Sequence, residues 1–189
     1  MMKRECGDCQ LCCKLLPMKD AKRGGFDKAA GVRCQHQRHH KGCAIYANRP
    51  WCCEMWSCRW LVNDDTADLS RPDRSHYVID LVPDYVTVQN NETGDEQHIE
   101  IVQVWIDPHY PDAHRDPALR RYMVRRAEEG KATMIRYNER DALTIFAPAF
   151  DKDGQWHEIR GNANAPSHTL HDTARALGSP GVRVITDAS

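Results

Sequence analysis

Nine cysteines fall between Cys6 and Cys58 and none follows, so any chemistry that thiols perform in this chain is confined to its first third. The run Cys6-Gly7-Asp8-Cys9-Gln10-Leu11-Cys12-Cys13 holds two overlapping C-x2-C steps and ends on a vicinal pair. Two thiolates three residues apart can face one cation from a tight turn whose backbone N–H groups point at sulfur, and Gly7 relieves that turn sterically. Cys34, Cys43, Cys52, Cys53 and Cys58 follow at wider intervals, as ligands brought in by a returning chain. An odd number leaves one thiol over if disulfides alone are formed. The opening residues carry no apolar stretch of the kind an export signal has. The expected setting is therefore cytoplasmic and reducing, where clustered thiols bind metals or do redox chemistry. Tetrahedral zinc takes four nitrogen or sulfur donors, and iron–sulfur clusters also favour thiolates.

The elements that must position these thiols are poor in grease. Residues 1–62 hold few large apolar side chains for their length, too few for burial to offset the entropy lost on ordering them. A structural zinc supplies an apparent ~10–16 kcal/mol, which makes metal the expected staple. Charge divides where the cysteines stop. Residues 1–62 carry 12 Lys and Arg against 5 Asp and Glu (+7), and residues 63–189 carry 14 against 22 (−8), for a net −1 over 189 residues. Thiolates ligated to divalent ions are anionic, so the basic excess reads as charge balance rather than a nucleic-acid surface. No run approaches the ~20 apolar residues of a membrane span.

Cys6-x2-Cys9-x2-Cys12-Cys13, then Cys34, then Gly42-Cys43-Ala44-Ile45-Tyr46-Ala47-Asn48-Arg49-Pro50-Trp51-Cys52-Cys53, resembles the CxxCxxCC, or YkgJ-like, cysteine-cluster family. The family's second block reads approximately C-x-I-Y-x-x-R-P-x-x-C, matched by Cys43, Ile45, Tyr46, Arg49, Pro50 and Cys53. Trp56-Ser57-Cys58-Arg59-Trp60-Leu61 is similar to a subgroup with one further cysteine before a Trp-Leu pair. The likeness covers about residues 5–62 and implies chelation of zinc or iron. Some relatives are linked with lysine methylation of flagellin through an iron–sulfur site, which implies a second reading. Cys52 falls at a variable position of the motif, so the resemblance implies eight ligands: Cys6, Cys9, Cys12, Cys13, Cys34, Cys43, Cys53 and Cys58. Eight thiolates fit two four-thiolate sites, or one cluster with bridging sulfur. A three-zinc cluster using all nine thiolates ranks behind both. Because Cys12 and Cys13 are adjacent, they are expected to serve different ions. His36 is the histidine best placed to replace a thiolate, whereas His39 and His40 read as solvated loop.

Pro50 is expected to open a helix that brings Cys53 round one turn later and presents Trp56 and Trp60 on adjoining faces. Tyr46, Trp51, Trp56 and Trp60 read as a wall around the thiols rather than a stacking platform for bases. Beyond Asp64-Asp65 the pattern turns to α+β. Strands are expected at Tyr77–Val82, Tyr85–Gln89 and His98–Ile106, whose apolar parity switches at 101–102, marking a bulge or burial on both faces. Asp116-Pro117 starts a helix running to about Glu129, with Leu119, Tyr122, Met123 and Ala127 as its buried stripe. Ala132–Tyr137 and Ala142–Ala147 form a hairpin. The loop from Asp107 to His114 gathers two Asp and two His, but reads as a plain surface connection.

The expected architecture is therefore α+β. A cysteine-rich irregular unit (1–64) precedes a mainly antiparallel sheet of four to five strands with one covering helix (65–160). The tail (161–189) is expected to hold a short helix around Leu170–Leu177 or to be disordered. The expected function is metal chelation, zinc first and iron or an iron–sulfur cluster as alternative. The second part would serve a protein partner, not a membrane or nucleic acid. No P-loop, dinucleotide fingerprint, HExxH or nucleophile elbow decides whether the chain is an enzyme.

Overall fold

The computed structural model describes residues 4–19, 26–39, 41–81, 84–90, 93–150, 154–162 and 182–185. The class is α+β, with two compact units: residues 1–81 with 104–119, and residues 82–103 with 120–189. The units do not part at residue 64, where composition changes. The first takes in 65–81 and 104–119 as well as the cysteine-rich segment.

The cysteine-rich segment is built of very short pieces. Helix α1 (Leu11–Leu15) is followed by two-residue strands β1 (Met18–Lys19) and β2 (Asp27–Lys28), which pair antiparallel. A second pair follows, β3 (Gln37–Arg38) with β4 (Gly42–Cys43). Three short helices come next: α2 (Trp51–Met55), α3 (Arg59–Val62) and α4 (Pro72–Ser75). The single helix expected from Pro50 is thus broken in two. Pro50 sits just ahead of α2 in an extended conformation, and Trp56 and Cys58 are extended as well. The break lets Trp56 Nε1 donate to Asp80 Oδ1 at 2.8 Å while Cys58 is buried at the head of α3. Leu11, Leu15 and Leu16 pack with Cys9, Cys58, Val78 and Trp105, the small core of this unit.

Strand β5 (Tyr77–Ile79) is buried throughout. It belongs with β6 (Asp84–Asn90), β7 (Glu96–Ile106), β8 (Ala132–Arg136), β9 (Asp141–Phe146), β10 (His157–Asn162) and β11 (Val182–Ile185) to a seven-stranded sheet of order β10-β9-β8-β7-β6-β11, with β5 pairing β7 off that path. Seven strands replace the expected four to five. The two unforeseen ones are β10, with Ile159 as its lone aliphatic, and β11, which lies in the tail and pairs antiparallel with β6. The expected helix at Leu170–Leu177 lies outside the described residues.

On β7 residues Glu96 to His98 are exposed, burial alternates from His98 to Ile101 and then becomes nearly continuous to Ile106. The register explains this, because residues 96–101 pair with β6 whereas 104–106 pair with β5. The parity switch marks a change of partner strand. Helix α5 (Pro117–Glu128) buries Leu119, Tyr122, Met123 and Ala127 as expected, and Asp116 Oδ1 accepts the Ala118 N–H at 2.9 Å. Gly130 ends it with φ +75, the left-handed position that glycine takes without cost.

Candidate metal centre

All nine cysteines lie in the first unit as free thiols. The Cys6–Cys9 step is a tight turn. Cys9 N donates to Cys6 O at 2.9 Å, and Gly7 takes φ +53. Helix α1 follows at once, its buried Leu11 and Leu15 facing the core while Cys12 and Cys13 stay half-buried. The chain then returns, with Cys34 N donating to Cys13 O at 3.0 Å. Cys43 enters on β4 opposite Gln37. Cys52 and Cys53 ride on α2, their sulfurs 4.0 Å apart, and Cys58 heads α3.

Two groups of these thiols are shifted by burial and by one another. In the first, burial pushes Cys9 and Cys58 up to about 11, and the neighbouring Cys6 adds to both. The nearby backbone of Leu11 and Asp73 at Cys9, and of Leu61 at Cys58, pulls the other way. Cys12 belongs here through its coupling to Cys6 and Cys58. In the second set, Cys53 is pushed up to about 12 by burial and by Cys52, Cys13 and Cys34. The sets meet at the vicinal pair. The vicinal neighbour raises Cys12 well above the ordinary thiol value, whereas Cys13 is brought down against the effect of burial. Cys13 in turn acts on Cys6.

Two cations unforeseen from the sequence stand beside these sets. Lys28, 6% exposed, donates to Val32 O at 2.8 Å and Ala29 O at 3.2 Å and feels Cys34, Cys13, Cys12 and Cys53. Arg71 bridges Asp8 and Asp73 at 2.8 and 2.6 Å and favours ionised Cys6. Nothing local marks either one, since both sit in irregular polar stretches without periodicity. Of the aromatics, Trp56 and Trp60 pack against the Cys9–Cys58 core, and Trp60 Nε1 donates to Leu69 O at 3.0 Å. Tyr46 is 61% exposed, with Arg49 over its ring at 4.3 Å.

Other expected residues stand apart. His36 stacks on Phe26 at 6.0 Å between centroids, and His39 is exposed. His40 lies outside the described residues. The Asp107–His114 loop is more than a surface connection. Asp107 and His114 are both buried, Asp107 holding Lys14 Nζ at 2.7 Å from each oxygen, and His114 Nδ1 lying 2.9 Å from Pro111 O. Between these two buried ends, residues Pro108 to Asp112 are exposed, as expected of a surface connection.

Among the described residues, no three His, Cys, Asp or Glu side chains form a group that could hold an ion as they stand. The donor chemistry nonetheless fits a soft or borderline metal. The thiols are crowded enough to oppose one another's ionisation, and Lys28, Arg71, Arg49 and Arg4 bring positive charge to them. No helix among the described residues is long and apolar enough to cross a membrane.

The fold and these thiols define an α+β chain with a cysteine-dense segment. No family model, curated protein or solved structure matches the sequence.

Proposed function

We propose that this chain is a metal-chelating cysteine-cluster protein of a reducing, cytoplasmic setting. Zinc is the preferred ion, held by Cys6, Cys9, Cys12, Cys13, Cys34, Cys43, Cys53 and Cys58, with Cys52 not a ligand. The metal staples the cysteine-rich segment, and the remaining fold serves a protein partner. One observation carries this reading. Thiols from residues 6–13, from Cys34 and from residues 52–58 lie close enough to act on one another in one unit. Like charges so placed ionise together only with a cation among them. Eight thiolates suffice for two four-thiolate sites, with the adjacent Cys12 and Cys13 serving different ions.

A second reading, an iron–sulfur protein that performs or assists a redox or methyl-transfer step, is favoured by the apolar packing of Cys9 and Cys58 with leucines and tryptophans. Such a shell limits solvent access to a cluster. Anaerobic purification followed by elemental analysis tests both. Zinc at about two ions per chain in a colourless protein is the expected result. A brown protein with broad absorbance near roughly 400 nm moves the assignment to iron, and a chain that holds no metal under reducing conditions overturns both. Cys52→Ser is expected to leave the metal content unchanged. A lost ion would restore Cys52 to the ligand set.

A further inference from the structure

The β3–β4 hairpin brings Cys43 to the site, yet it has little to hold it. Each strand is two residues long, and Gln37, Arg38, Gly42 and Cys43 supply no large aliphatic or aromatic side chain. A hairpin of that size is marginal by itself. What docks it is the side chain of Gln10, between Cys9 and Leu11. Gln10 Nε2 donates to the backbone carbonyls of Arg38 and Gly42, the latter at 3.0 Å. Its Oε1 accepts from Gln37 Nε2 at 2.7 Å. One amide thus engages both strands, at the cross-strand pair Arg38–Gly42 and at the residue opposite Cys43. The backbone closes the same gap. Gly42 takes φ +77, and a Cβ there would meet Gly7 O at 3.4 Å, so the hairpin lies against the Cys6–Cys9 turn.

We propose that Gln10 is a positioning residue of the metal centre, a neutral clamp that seats Cys43 beside the Cys6–Cys13 run. This role rests on the chelation reading above. Glutamine suits the task because its amide offers two donors and an acceptor without charge. A carboxylate loses both donors and adds a negative charge to a site already crowded with thiolates.

The test compares the zinc-loaded wild type with Gln10→Met, which keeps the length and removes all three hydrogen bonds, and with Gln37→Met, which removes one. Alkylation of each cysteine by iodoacetamide is followed by peptide mass spectrometry alongside zinc content. In Gln10→Met, Cys43 is expected to react at least about tenfold faster, the factor that losing more than one net hydrogen bond allows. Cys9 and Cys58 keep the wild-type rate. Gln37→Met should shift Cys43 alone, in the same direction and by less, and its smaller perturbation serves if Gln10→Met does not fold. Cys43 as slow as in the wild type in either folded variant, or all cysteines accelerated alike, overturns the positioning role while leaving the chelation reading intact. A wild type that binds no zinc or iron overturns the chelation reading first, and the role with it.

Discussion

Asp107 ties the vicinal cysteine pair to the rest of its unit. Its partner Lys14 is the next residue after Cys13 on α1, and the pair is closed from solvent, with side chains 6% and 21% exposed. The His109 backbone N–H and Nδ1 complete the carboxylate's partners at 3.1 and 3.0 Å. Burial pushes this carboxyl up, but Lys14 and the His109 groups outweigh it and hold the value below the ordinary one. A folded-state value below the unfolded ~3.9 stabilises the fold above that pH, and the contribution drains away as pH falls through the folded value. Asp107→Asn is therefore expected to cost about 1–3 kcal/mol at neutral pH. Urea unfolding should show the gap to wild type shrinking once both are measured in acid near pH 3. A gap that persists there would mean the effect is not one of charge. This anchor was invisible in the sequence, because Lys14 and Asp107 are far apart in the chain and the Asp107–His114 loop reads as a surface connection. The thiols were legible one by one from their spacing, whereas which of them act on one another depends on where the chain returns.

Elements with a sustained apolar period were the ones that could be read. On α5, Leu119, Tyr122, Met123 and Ala127 repeat at helical spacing, and β8 and β9 carry enough buried residues to declare a hairpin. The two-residue strands β1 to β4 have no period to detect, and the break between α2 and α3 is set by tertiary partners of Trp56 and Cys58 rather than by a helix-breaking residue. Within the sheet, Phe146 meets Phe150 in a tilted ring contact at 4.9 Å between centroids and packs among Val86, Ile99, Met134 and Ile159. Phe146→Ala is expected to cost about 3–5 kcal/mol, because the surrounding strands cannot collapse onto the space. By contrast, Arg160→Ala removes an exposed pair with Asp141 and should cost at most about 1 kcal/mol. Thermal melts of the two variants should separate these outcomes.

At the scale of the whole molecule, composition and compactness divide the chain differently. On the chelation reading proposed above, the basic excess before Asn63 supplies counter-charge to the thiolates. The compact units instead follow strand pairing, which sends residues 104–119 back to the N-terminal part. Pairing of this kind joins segments remote in sequence, and so leaves no local trace in composition.

The outer position of β11 has a practical corollary. Its four residues cover the flank of β6 by antiparallel pairing from Val182 to Ile185. A chain cut after Gly181 would leave a row of amide and carbonyl groups open to the first extended strand that passes, including the same strand of another copy. Light scattering of the shortened protein should rise with concentration while the full chain stays monodisperse. Affinity tags intended for purification are accordingly better fused ahead of Met1, or set off from β11 by a flexible spacer.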